Sequence, residues 1–179
     1  DAIEAQMILN HKQAIKFLVE NLEAIEVNNF TILNLHGLLA ESLLPNPKDS
    51  GNLRTKMVDI SGSVYRPTAI PQLINERFTL ILAKAGMISD PFEQAFFIMV
   101  HIPYLQAFVD VNKRVSRLAA NIPLLKHKLC PLTFIGLPEQ AYIDGNIGIY
   151  ELQNYSLLRD VFLWAYERSA QEYLAVQKS

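Results

Sequence analysis

The sequence predicts an all-α bundle interrupted by one short β-hairpin. Three observations carry that reading. Apolar residues recur at helical spacing behind cap residues along most of the chain. One segment, Phe92 to Leu105, is apolar on nearly every side, as a helix buried at the centre of a bundle must be. Residues 45–68 break the pattern with turn formers and short alternating runs. At 179 residues the chain is long enough for one domain with a real core.

Taken in order, Asn10 caps a helix from His11 to about Val27, with Ala14, Ile15, Leu18, Val19, Leu22 and Ile25 on one face. Asn28-Asn29 ends it. Thr31 caps a second helix carrying Ile32, Leu35, Leu38, Leu39 and Leu43, and Pro45 and Pro47 stop it. Met57-Val-Asp-Ile60 and Ser63-Val-Tyr65 have strand character around Ser61-Gly62, which reads as a hairpin. Helix resumes from Ile70 to Ala85, with Gly86 as its stop. Ser89 or Asp90 caps the apolar helix, with Pro91 in its first turn and Glu93 placed for a capping box. Pro103 should kink its last turn. A helix from Asn112 to about Lys128 follows, with a kink at Pro123, then an extended link to Pro138. Helices over Glu139–Leu152 and Ser156–Gln177 close the chain.

Charged residues make up 19% of the sequence and the net charge is −2, so electrostatics give no reason to expect non-specific binding to nucleic acid or anionic membranes. The one cysteine, Cys130, rules out an internal disulfide and fits a reducing compartment such as the cytoplasm. No apolar run reaches the roughly 18 residues of a membrane span. The chain starts at Asp1 without Met or a recognisable signal peptide, which suggests a trimmed or fragmentary product. A nucleic-acid partner would therefore need a segment that is not present here.

The residues with chemistry sit in one stretch, Gln106-Ala-Phe-Val-Asp-Val-Asn-Lys-Arg-Val-Ser-Arg117, between two apolar helices. It holds a carboxylate (Asp110), an amide (Asn112) and three cations (Lys113, Arg114, Arg117). A helix starting at Asn112 turns its free N–H groups and positive dipole end toward that loop, and the cations add charge there. The arrangement suits an anion, phosphate above all. A solvated helix start with surface charges is the competing reading.

This stretch resembles the Fic/Doc signature H-P-F-x-[D/E]-G-N-G-R-x-x-R. Phe108, Asp110, Asn112, Arg114 and Arg117 match; the His, the Pro and both Gly do not. The neighbourhood matches too: Leu38-Leu-Ala-Glu-Ser-Leu-Leu-Pro-Asn46, Gly51 and Arg54, Ile60-Ser-Gly-Ser-Val-Tyr-Arg-Pro67, and Asp90-Pro-Phe-Glu-Gln-Ala-Phe96. The resemblance implies a Fic-fold helical bundle that binds ATP at the loop. Typical members move AMP from ATP to a hydroxyl of a target protein. By position, Asp110 would hold Mg2+. Val111, Asn112, Lys113 and Arg114 would line the α- and β-phosphates, and Arg117 would meet the γ-phosphate. Val58, Asp59, Ile60, Ser61 and Gly62 look like the family's flap, which aligns a target segment by main-chain pairing. Tyr142 is the candidate for the adenine pocket.

The departures bear on activity. Gln106 stands where the motif His would take the proton, and a carboxamide cannot do so at neutral pH. Losing a general base removes about 10²–10⁴-fold in rate. His101 lies five residues upstream on an apolar helix and reads as a core residue; His11, His36 and His127 cannot be placed from sequence. Val111 puts a β-branched side chain where the backbone should approach phosphate closely. Lys113 resembles Doc-type loops, which transfer a phosphate instead, but those keep the His and generally lack the second Arg. At the N-terminus, Ala2-Ile-Glu4 resembles the family's inhibitory helix, in which Glu4 would pair with Arg117. The expected organisation is an N-terminal segment over residues 1–28 bearing that Glu, then the core over 29–179. The expected function is ATP binding with AMP transfer slowed or lost. Two alternatives remain: a non-catalytic nucleotide-binding module and a Doc-like phosphotransferase. The target protein is unknown, and a homodimer is compatible with the sequence.

Overall fold

The computed structural model describes all residues, 1–179, and contains only helices and loops. The helices are α1 (Ala2–Glu20), α2 (Asn29–Ala40), α3 (Pro71–Gly86), α4 (Pro91–Leu105), α5 (Asn112–Ala119), α6 (Asn121–Lys126), α7 (Glu139–Leu152) and α8 (Ser156–Lys178). None is long and apolar enough to cross a membrane.

Helix α4 is the axis of the bundle and packs on α3, α5, α6 and α7. One side supplies Ile98, Ile102 and Leu105 to a core shared with α1, α2, α3 and α5. The other supplies Ala95 and Met99 to a second core shared with α6, α7 and α8. A helix buried from two directions has to be apolar all round, which is why its sequence reads that way. Its start is as expected: Asp90 accepts the Glu93 N–H at 2.9 Å, with Pro91 in the first turn. Where α7 meets α8, a Cβ on Gly145 would lie 3.1 Å from the Leu158 Cα. Glycine permits that close approach.

Several boundaries differ from the sequence reading. Helix α1 begins at Ala2, capped by Asp1, and Asn10 lies inside it. Asn10 is buried, donating to the carbonyls of Leu39 and Glu41 at 3.1 and 2.8 Å and accepting from Gln6. A polar residue tied to the end of α2 thus looked in sequence like a cap. Asn28, not Thr31, caps α2 by accepting the Thr31 N–H. The helix expected over 112–128 is two helices parted at Ala120. Pro123 has no N–H to offer the Ala119 carbonyl, so the ladder breaks there.

The expected hairpin is absent. Residues 51–70 form an irregular loop whose only backbone bond between its own residues is the Ser63 N–H to the Ile60 carbonyl at 3.2 Å, closing the turn at Ser61-Gly62. Two short strands with no third partner are marginal in water. Side-chain ties to the rest of the protein hold this segment instead.

Candidate functional site

Two left-handed residues shape the loop between α4 and α5. Gln106, just past the end of α4, has φ 50°, and Val111, just before α5, has φ 71°. Neither is glycine, so each strained position is imposed by its surroundings.

Three fasteners impose it. Inside the loop, buried Asn112 accepts the Phe108 N–H at 2.9 Å and donates to the Phe108 carbonyl at 2.9 Å and to Gln106 Oε1 at 3.1 Å. Beneath it, fully buried His36 stacks on Phe108 at 3.9 Å with the rings 7° apart. His36 Nδ1 accepts the Gly51 N–H at 3.0 Å, so Nε2 carries the hydrogen and donates to the Asp110 carbonyl at 3.1 Å. Burial holds its pKa down to about 4, so the ring is neutral near pH 7. Behind it, Arg54 is 2% exposed. Its guanidinium donates to the carbonyls of Gln106, Lys56 (2.9 Å), Thr68 (2.6 Å) and Leu105 (3.2 Å). Its N–H donates to the Ala107 carbonyl at 3.0 Å. A cation fits there because the last carbonyls of a helix carry its negative dipole end.

On the open side of the loop, Lys113, Arg114 and Arg117 occupy two turns of α5, and none forms an ion pair. Burial, then Arg117, lowers the Lys113 pKa, while Glu139 opposes the shift. Burial lowers the Arg114 pKa, Asp110 raises it, and Arg117 lowers it. Arg117 lies across the rings of Phe134 and Tyr142, 5.5 and 5.1 Å from their centroids, and Lys113 is 6.0 Å from that of Tyr142. The α5 N-terminus has no side-chain cap. Asp110 is exposed, and its Oδ1 accepts the Val111 N–H at 2.6 Å. Cations, uncapped N–H groups and an exposed carboxylate brought together suit an anion, and the carboxylate suits a hard cation.

Comparison with known proteins assigns this architecture. The Fic/DOC family model matches residues 26–124. The chain belongs to the Fic/DOC family. Among solved structures, a Fic family protein from Desulfovibrio desulfuricans G20 superposes with TM-score 0.80 at 17% identity, over 100% of this chain and 56% of the other. Fic-1 from C. elegans superposes with TM-score 0.76 at 20% identity, over 99% of this chain and 53% of the other. A variant of that protein gives 0.74 at 19% identity, over 99% and 53%. The chain thus spans about half the length of these structures, and at such identities the likeness concerns the fold. No curated protein sequence matches.

Within the Fic loop, the motif residues divide into two groups. Asp110, Lys113, Arg114 and Arg117 stand together on the open side. Gln106, Val111 and Asn112 are buried. The Gln106 side chain is engaged at both ends: Nε2 donates to the Pro103 carbonyl at 2.7 Å, and Oε1 accepts from Asn112. The Asn112 side chain is likewise spent on the loop rather than turned toward a phosphate. Asp110 is the carboxylate beside Arg114 and Glu139 the one toward Lys113, and no cluster of three metal-ligating residues exists. That fits a Mg2+ held largely by phosphate oxygens, which needs only one or two protein carboxylates.

Two expected site residues have other neighbours in this structure. Tyr142, the adenine-pocket candidate, is 4% exposed and lies beneath Arg117 and Lys113. Glu4 does not pair with Arg117. It is 75% exposed. Helix α1 does pass the site through His11, which burial and then the Arg117 charge push below the ordinary imidazole range. Glu4 lies two turns away on the same face of α1, about 10 Å along the axis.

Flap residues Val58, Asp59, Ile60, Ser61 and Gly62 are half-buried or exposed. From Thr55 to Gly62 no backbone N–H has a protein partner. His101 packs against Phe97, and His127 bonds the Pro123 carbonyl, so neither reaches the loop. Sequence reasoning missed His36 and the role of Arg54; both are isolated side chains whose partners are backbone carbonyls or N–H groups far along the chain.

Proposed function

We propose that this chain is an ATP·Mg2+-binding Fic protein whose AMP-transfer chemistry is withheld by Gln106. The observation that carries the reading is the trio Lys113, Arg114 and Arg117 without carboxylate partners at the uncapped start of α5. Unpaired, half-buried cations are costly unless an anion completes them. A triphosphate supplies that anion, with Arg114 and Arg117 giving forked donors and Lys113 a point charge. Mg2+, when bound, supplies charge neutralisation between Asp110 and the phosphates.

Transfer to a hydroxyl needs a proton acceptor at position 106. Gln106 has none, and its carboxamide is committed to Pro103 and Asn112. Tyr150 Oη is buried without a hydrogen-bond partner, and burial raises its pKa, so it is no base. The same commitment favours a second reading, in which the protein binds nucleotide as a signal and transfers nothing. An inhibitory role for Glu4 belongs to the proposal because its carboxylate stands on the α1 face that approaches Arg117.

Calorimetry with ATP and Mg2+ tests the first reading. Binding is expected in the wild type, tighter binding in Glu4→Gly, and loss in Arg117→Ala. No heat with any form would end it. Gln106→His is then expected to raise AMP incorporation into a target or into the chain itself. Label from the α-phosphate marks AMP transfer, and label from the γ-phosphate marks Doc-like phosphotransfer.

A further inference from the structure

The last turn of α7 reaches the flap segment in two places. On the outside, exposed Glu151 accepts from Ser63 Oγ at 2.9 Å and from the Val64 N–H at 3.1 Å, both through Oε1. Ser63 Oγ also accepts the Tyr65 N–H at 3.1 Å, which folds the corner inward. On the inside, the Tyr150 ring stacks on Tyr65, with centroids 5.6 Å apart and planes 6° apart. Tyr65 stacks in turn on Tyr104 and donates to the Tyr104 carbonyl at 2.9 Å. The Tyr150 hydroxyl itself is buried without a hydrogen-bond partner.

Beyond these ties the corner has only the Ser63–Ile60 turn bond and, at its two ends, the Arg54 bonds to the Lys56 and Thr68 carbonyls. Val64 is 85% exposed, and no backbone N–H from Thr55 to Gly62 is paired. A segment without ladder bonds and with little buried side chain takes its position from its few ties.

We infer that Glu151, with Tyr150 behind it, is a positioning residue for the flap. It holds the Ser63-Val64 corner so that the unpaired main chain of residues 55–62 faces an incoming target segment beside the Fic loop. The inference rests on the reading above only in naming a target segment as the occupant. The grip itself is independent of nucleotide. A carboxylate suits the task because one oxygen serves a hydroxyl and an N–H together, and hydrogen bonds to a charged acceptor are the stronger kind.

Hydrogen exchange on the full chain is the test, with peptides covering residues 55–68. In Glu151→Ala, exchange of the paired amides of this stretch, Ser63, Val64 and Tyr65, should rise about tenfold, the scale of one lost hydrogen bond to a charged acceptor. In Glu151→Gln it should stay near wild type, since the carboxamide oxygen still accepts both bonds. A structural defect of α7 would instead raise exchange in residues 139–152, where no change is expected. The second arm uses Gln106→His as parent and labelled ATP. Adding Glu151→Ala should raise the KM for the target and leave the KM for ATP unchanged. Unchanged exchange in Glu151→Ala overturns the grip. Faster exchange with an unaltered target KM overturns its role in target alignment. Absent ATP binding, with the exchange result intact, removes the nucleotide reading and leaves the grip standing.

Discussion

His36 Nε2 donates to the carbonyl of Asp110 at 3.1 Å, 74 residues away in sequence. This bond joins α2 to the residue that opens the anion site, and it needs a neutral imidazole whose Nδ1 is free to accept from Gly51. The pKa of His36 is held at about 4 against 6.5 for the free side chain. Above pH 6.5 both folded and unfolded chains carry a neutral ring, and stability is unaffected. Between 6.5 and 4 only the unfolded chain takes the proton, so stability falls with pH, by about 3 kcal/mol in all. Urea midpoints should therefore drop steadily between pH 7 and pH 4.5. A His36→Gln variant should be weaker at pH 7 and lose most of that slope.

Asn112 and Arg114 should separate architecture from binding. Asn112→Ala strands the buried Phe108 N–H and the Gln106 oxygen, at a cost of about 3 kcal/mol in urea unfolding. Arg114→Ala removes a side chain with no protein partner and should shift stability by less than about 0.5 kcal/mol. Calorimetry should nonetheless show ATP affinity reduced by about tenfold or more, as expected for one lost charged contact to phosphate.

At Val111 two effects oppose one another. Its φ of 71° strains a β-branched residue by about 1–3 kcal/mol. Its buried side chain contributes about 1.5–3 kcal/mol. Val111→Gly should thus change stability by no more than about 1 kcal/mol, while Val115→Gly, a buried helical site, should cost several. The glycine also opens the approach to the α5 N–H groups, so calorimetry should show tighter ATP binding.

Arg54→Lys should be strongly destabilising, by about 3–5 kcal/mol, although the charge is kept. A lysine has three donors at one point and cannot span four carbonyls. Chemical denaturation checks this, and the same variant should loosen the loop in hydrogen exchange at residues 105–112.

The sequence exposed what depends on neighbouring residues. The Asp90 cap with Pro91, the all-round apolar α4 and the motif cations of α5 each declare themselves within one or two turns. What it hid depends on the folded path of the chain, often through partners far away. Asn10 looked like a cap because its carbonyl partners lie on α2. Residues 57–65 looked like a hairpin because alternation is local, whereas their actual ties run to Tyr104, Tyr150 and Glu151. Gln106 read as a missing base, but its second use, bonding Pro103 and Asn112, depended on a loop geometry that no spacing reveals. Glu4 matched a motif fragment, yet the path of α1 puts His11 nearer Arg117.

Arg54 grips only main-chain oxygens, and His36 meets the loop through a carbonyl and a ring face. The course of residues 105–110 is consequently indifferent to most of the side chains displayed on it. Such a mount lets reactivity be swapped one position at a time: a base can be lost at 106 or a lysine gained at 113 while the path of the chain persists. The chemistry displayed on this loop is, in that sense, a removable part.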